Sequence, residues 1–356
     1  MAHHLFVMHG MGRHVPNWPD DTIALLQGLP DRYGYLWFDT NGPIEDHVTI
    51  VPLSYDDVFD HYLQEWGQSA EALRTKGDEF GIDIGDITGW LERADQTENN
   101  FFWTHVVDVV LYRFFSIVTA EVRLRVRLQV AEALEKALQG GAITPASVLA
   151  HSLGTSVAHD SLALLGSTPI NTPAGPNHSF MVGNHRFANI FMCANVGRVL
   201  ETQPKVYQSI IRPPGQGAES YVDVYYDFRH RLDPFPMVRS FAPLGWNPKR
   251  FVAVDDCKKV LDFNVHALDH YLEDPRVHVP LLRATVGDWC ITKAEAKAAT
   301  STYDAMSEPN CLAELLRFKS TAKKIIELAQ AGGDPLALVV AGTQFLAAAR
   351  EAYDAC

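Results

Sequence analysis

Short unbroken apolar runs alternate along this chain with longer stretches whose apolar positions recur every three or four residues. The first run, Leu5-Phe6-Val7-Met8, ends at His9-Gly10-Met11-Gly12, the pattern of a buried strand that feeds a tight turn. Val48 to Leu53, Ser147 to Ala150, Phe187 to Val196 and Tyr221 to Phe228 are runs of the same kind, and Val260 to Val265 reads as the last strand. Most are continuously apolar rather than alternating, which is expected of strands covered on both faces, as in a parallel sheet.

The stretches between them read as helices. His105, Asp108, Tyr112, Ser116 and Thr119 recur at spacings of three and four and leave a wide apolar surface beside a narrow polar stripe. Val122 to Val130 alternates strictly, as a strand would, yet it runs unbroken into Ala131-Glu132-Ala133-Leu134-Glu135-Lys136-Ala137-Leu138, so a helix is predicted through both. Residues 58–140 form a mainly helical insertion of the kind that caps a pocket as a lid. Gly166 to Gly183 and Arg212 to Ala218 read as loops, and the Ala-, Leu-, Glu- and Lys-rich tail over 292–356 predicts C-terminal helices. The fold class expected is α/β: a mostly parallel central sheet flanked by helices, in one domain over 1–356.

Composition narrows the partners. With 43 acidic against 30 basic residues the net charge is -13, which argues against a general attraction to nucleic acid or to anionic membrane surfaces. The most lipophilic stretch, Phe101 to Val118, contains His105, Asp108 and Arg113; charges at a bilayer centre cost roughly 2.5 to 3.5 kcal/mol each, so no transmembrane segment is expected. The N-terminus reaches Gly10 before a secretory apolar core could be completed. Five scattered cysteines (Cys193, Cys257, Cys290, Cys311, Cys356) show no metal-ligand spacing, and the 15 histidines include no His-Glu-x-x-His, so the expectation is a cytoplasmic protein without metal or organic cofactor.

The candidate chemistry centres on Val148-Leu149-Ala150-His151-Ser152-Leu153-Gly154. A serine that follows an apolar run, is flanked by small residues at minus two and plus two, and precedes a helix-compatible stretch stands on a sharp strand-to-helix turn, where its hydroxyl projects from the sheet. Such a nucleophile needs N–H donors for the developing oxyanion. By position these are the N–H groups of Met11, in the glycine turn after the first strand, and of Leu153. A carboxylate must orient the base: Asp233, in the loop Arg229 to Pro236 after a strand, is the candidate. Asp223 and Asp227 lie within the strand, where capping or solvent-facing roles are expected, and Asp255-Asp256 is a weaker rival. The base must follow in the chain. His266 and His270 both qualify, with His270 favoured because it lies nearer the helix that Pro275 would start; His278 would already be on that helix. Phe101, Phe102, Trp103 and Tyr112 are candidates for an acyl pocket or for plain core.

Together these strings resemble the lipase- and esterase-like α/β-hydrolases: a strand ending in His-Gly-x-Gly, an Ala-His-Ser-x-Gly elbow, an Asp-Pro after a later strand, and a histidine before Tyr-x-x-Asp-Pro-x-Val. The pieces span Leu5 to about Leu282, and the departure is Ala150 where the family pattern has glycine. The resemblance implies an α/β-hydrolase fold and cofactor-free hydrolysis of a small-molecule or lipid-like ester through Ser152, Asp233 and one histidine of the pair. A thioesterase or acyltransferase would use the same trio, and a binding protein could keep the fold without the chemistry; oligomeric state is not readable from these motifs.

Overall fold

The computed structural model describes residues 2–10, 18–62, 64, 112, 116–139, 145–172, 175–198, 206–215, 219–233, 236, 240–261, 265–308 and 316. Its described elements run β1 (His3–Met8), α1 (Trp18–Tyr33), α2 (Leu36–Asn41), β2 (Val48–Leu53), α3 (Ser116–Gln139), β3 (Ala146–His151) and α4 (Leu153–Ser167). A two-stranded hairpin, β4 (Ile170–Thr172) and β5 (Gly175–Asn177), leads to β6 (Phe187–Cys193), β7 (Val222–His230) and β8 (Phe251–Cys257); α5 (Leu268–Glu273), α6 (Pro275–Thr285) and α7 (Lys293–Asp304) follow.

The main sheet has the order β2-β1-β3-β6-β7-β8, and each of its neighbouring pairs is parallel. Every residue of β3 is buried, as expected for a strand covered on both faces. Alternation then divides the core. Phe6, Met8, Val148, Ala150, Ile190 and Met192 pack with α3 and α4 on one face. Leu5, Val7, Leu149, Phe191 and Phe228 pack with α1, α5 and α6 on the other. The chain is an α/β protein with helices on both faces of a parallel sheet.

The ambiguous stretch before β3 is helical because Val118, Val122, Val126, Val130 and Leu134, four residues apart, are all buried and form one stripe on a 3.6-residue period. The arginines that gave the alternating appearance leave that stripe: Arg123 pairs with Asp160 on α4, and Arg127 donates to the Thr168 hydroxyl over 2.9 Å.

Two expectations need correction. Among the described residues the last strand is Phe251–Cys257, and Val260 and Val265, expected to bound it, lie outside any strand. β8 lies at an edge of the described sheet, and its apolar run Phe251-Val252-Ala253-Val254 is cut short by exposed Asp255 and Asp256. Val260 and Val265 are buried instead in a small cluster with Leu232. The span Gly166 to Gly183 is not all loop, since it holds the β4–β5 hairpin. Most of the insertion at 58–140 and of the tail beyond Glu308 lies outside the described residues. Among the described residues no helix is long and apolar enough to cross a membrane.

Candidate active site

Parallel strands that share one direction bring their C-terminal ends to one edge, and the loops leaving that edge meet there. Ser152 leaves β3 at this edge, between His151 and the first residue of α4. Its backbone has φ 54° and ψ −127°, and among the described residues only Ala194 also has a positive φ without being glycine. A non-glycine residue held there costs about 1–3 kcal/mol and persists only where its surroundings over-determine it. Here they do. Ser152 N–H donates to the Cys193 carbonyl over 3.0 Å. Its own carbonyl accepts from Thr155 N–H at 2.9 Å and from the Thr155 hydroxyl at 2.6 Å.

Sterics explain the two glycines around the turn. A Cβ on Gly154 would lie 2.2 Å from the His9 carbonyl oxygen, so the end of β1 approaches the elbow closely only because residue 154 has no side chain. A Cβ on Gly10 would lie 2.8 Å from Ser152 Cβ and from His151 Nδ1. Gly10, two residues after β1, is therefore packed directly onto the serine. Ala150, where the family pattern has glycine, is fully buried in the sheet.

An imidazole stands beside the serine. His266 Nε2 lies 2.7 Å from Ser152 Oγ, and His266 Nδ1 lies 2.8 Å from Asp233 Oδ2. An ionised carboxylate can only accept, so Nδ1 carries the proton and donates to Asp233; this leaves the Nε2 lone pair for the serine hydroxyl. Asp233 Oδ2 also accepts from the Tyr271 hydroxyl at 2.8 Å, and that hydroxyl accepts from His230 N–H at 3.1 Å. Ser152 and Asp233 are fully buried and His266 is 5% exposed, so these bonds form away from bulk water, where they are electrostatically stronger.

The geometry brings His266, rather than the favoured His270, to Ser152. His270 is on α5 and its Nε2 donates to the Lys259 carbonyl over 2.9 Å. His230 Nε2 donates to the same carbonyl over 3.0 Å, so the two imidazoles form a clasp on the segment after β8. His278, on α6, lies away from the serine: its Nδ1 donates to the Leu272 carbonyl at 2.8 Å and its Nε2 faces the Tyr35 hydroxyl at 2.7 Å.

The other carboxylates divide. Asp223 sits at the surface, 3.1 Å from Arg186 Nη1. Asp227 was expected to cap or to face solvent and does neither. It is fully buried, accepts from Asn195 Nδ2 at 2.8 Å and lies 2.9 Å from Arg229 Nε. Burial pushes its carboxyl up to about 7, against the opposing pull of Arg229. Asp255 and Asp256 are exposed on β8.

Of the two expected oxyanion donors, Leu153 is the first residue of α4, a position whose N–H has no partner one turn earlier in the helix. Met11 lies outside the described residues, as do Phe101, Phe102 and Trp103. Tyr112 is buried, and its hydroxyl donates to Asp160 Oδ2 over 2.9 Å, a core role. Among the described residues no group of three or more His, Cys, Asp or Glu is placed to hold a metal ion.

Sequence reading overlooked Thr155, Tyr271 and the side chain of His151. The last two were visible only as letters of the motif strings, because their partners lie far away in the chain. Comparison with protein-family models, with curated proteins and with solved structures returned no match for this chain.

Proposed function

We propose that the chain is a serine hydrolase of the α/β-hydrolase type that cleaves carboxylic esters through a covalent acyl-enzyme. The observation that carries this reading is the continuous path Ser152 Oγ to His266 Nε2, then His266 Nδ1 to Asp233 Oδ2, attached to a serine with a strained backbone at a sheet edge. A structural serine needs neither a buried imidazole nor that conformation, whereas a nucleophile needs both. The order along the chain is Ser, Asp, His, as the α/β-hydrolase arrangement requires. Gly10, after β1, lies beside the elbow because β1 and β3 are neighbours in the sheet.

The mechanism follows from the protonation logic. His266 Nε2 takes the Ser152 proton as Oγ attacks the ester carbonyl, and Asp233 supports the imidazolium that forms. The carbonyl oxygen gains negative charge and meets the Leu153 N–H at the positive end of α4; by sequence position the Met11 N–H is the second donor. His266 then returns the proton to the leaving alcohol. Water, deprotonated by the same imidazole, attacks the acyl-enzyme and restores Ser152. A thiol ester or an alcohol acceptor would pass through the same steps, so thioester hydrolysis and acyl transfer belong to the same reading.

The test combines rates on p-nitrophenyl esters from acetate to palmitate with labelling by a fluorophosphonate probe, for wild type and Ser152→Ala. Wild type is expected to label and to turn over at least one ester, and Ser152→Ala to lose labelling and roughly 10³-fold or more in kcat. Full activity in Ser152→Ala would remove the assignment. A wild type that neither labels nor hydrolyses would favour a binding protein on the same scaffold.

A further inference from the structure

We infer that His151 is a positioning residue that fixes the base His266 relative to Ser152, an inference that rests on the hydrolase reading above. His151 immediately precedes Ser152 and is buried. Its Nε2 hydrogen bonds to the backbone carbonyl oxygen of His266, across 115 positions of chain. A carbonyl only accepts, so His151 carries a proton on Nε2 and donates. The two rings lie 4.9 Å apart between centroids, tilted by 48°, and the ring of Tyr271 lies 6.1 Å from that of His151. On its other side His151 Nδ1 is so close to Gly10 that a Cβ there would sit 2.8 Å away.

His266 needs such an anchor because of where it stands. It lies after β8 and before α5, outside any helix or strand, and the capping residue of α5, Ala267, has no side-chain bond to offer. A base on irregular backbone is held by whatever its own peptide group contacts. The residue joined directly to the nucleophile grips that peptide group, so a shift of His266 away from Ser Oγ requires breaking a buried hydrogen bond. His151 thus couples three parts of the site: the serine elbow by the chain, the base by its Nε2, and Gly10 after β1 by packing.

Three variants test this with p-nitrophenyl acetate as the probe. His151→Phe keeps the ring volume without the donor, His151→Met is a second donor-free replacement should the ring change prevent folding, and His151→Gln restores an N–H at a similar reach. The donor-free variants are expected to lose roughly tenfold to a hundredfold in kcat at nearly unchanged KM, since misplacing a reacting group by about 1 Å costs on that order. His151→Gln is expected to recover most of the loss. A donor-free variant that folds and turns over at the wild-type rate, or a His151→Gln as impaired as His151→Phe, would overturn the inference.

A second readout separates this inference from the hydrolase reading. The His266 Nδ1 proton, held by Asp233, is expected as a far-downfield proton resonance in wild type and in His151→Gln, and to be lost from the donor-free variants. Should wild type hydrolyse no ester and label with no fluorophosphonate, the hydrolase reading falls alone if the resonance follows this pattern. Its persistence in His151→Phe or His151→Met would overturn the positioning role whatever the activity.

Discussion

The hydroxyl of Tyr271 donates to Asp233 Oδ2 over 2.8 Å, the same oxygen that accepts from His266 Nδ1. One carboxylate oxygen thus holds both the His266 imidazole and a phenol from α5, and the phenol in turn accepts the His230 N–H. Tyr271 fixes the direction of the lone pairs that orient His266. In Tyr271→Phe the carboxylate loses a donor and a buried N–H loses its acceptor, which costs roughly 1–3 kcal/mol of stability. Urea unfolding is expected to register that loss, together with a several-fold drop in kcat from the looser acid; unchanged stability would mean that water replaces the phenol at no cost.

The strain at Ser152 makes a second prediction, which needs no substrate. Ser152→Ala keeps the Cβ that makes φ 54° unfavourable, whereas Ser152→Gly removes it. Glycine costs about 0.5–1 kcal/mol more backbone entropy on folding, but relief of a strain of about 1–3 kcal/mol outweighs that cost. Both variants are expected to be inactive, with Ser152→Gly the more stable of the two in thermal and urea unfolding. Equal stabilities would mean that the elbow stores no strain.

These two residues also illustrate what was legible in the chain. The demands on Ser152 are local: an apolar run, a small residue on each side and a helix afterwards, all within a dozen positions. The four interior strands, β1, β3, β6 and β7, were readable for a similar reason, since burial on both faces leaves mainly apolar runs. β8, at an edge of the described sheet, was not, because Asp255 and Asp256 at the surface interrupt its apolar run. The choice between His266 and His270 was equally hidden. The two are four residues apart in one segment, and what separates them is the Lys259 carbonyl, which takes His270 out of reach. Asp227 looked like a strand residue with a solvent role because nothing near it in the chain announces Asn195, its partner from the turn after β6.

Buried imidazoles predict an acid limb in stability. His278, His230 and His3 are each lowered to about 4, chiefly because burial penalises the charged ring. Unfolded, such groups titrate near 6.5, so between about 4 and 6.5 the unfolded chain binds more protons than the folded one. Stability is therefore full above pH 6.5 and falls as pH drops towards 4, by up to roughly 1.4 kcal/mol per pH unit for each histidine. His278 is the cleanest case, with both ring nitrogens satisfied in the neutral form by Leu272 and Tyr35. Urea midpoints between pH 7.5 and 4.5 should show a shallower acid limb in His278→Gln than in wild type. A limb of equal steepness would assign those protons elsewhere.

The last prediction separates the two histidines by kinetics. His266→Gln removes the only described imidazole within hydrogen-bond reach of Ser152 Oγ, and glutamine cannot take the serine proton, so kcat should fall by roughly 10³-fold or more. His270→Gln removes one of two donors to the Lys259 carbonyl while His230 keeps the other. Glutamine can also donate to that carbonyl, so the segment leading to His266 stays tethered and kcat should remain within about tenfold of wild type. Stopped rates on p-nitrophenyl acetate for the two variants, each checked for cooperative unfolding, decide the matter. If His270→Gln were the dead variant and His266→Gln the active one, the base would be on α5 and the bond between Ser152 and His266 would have no part in turnover.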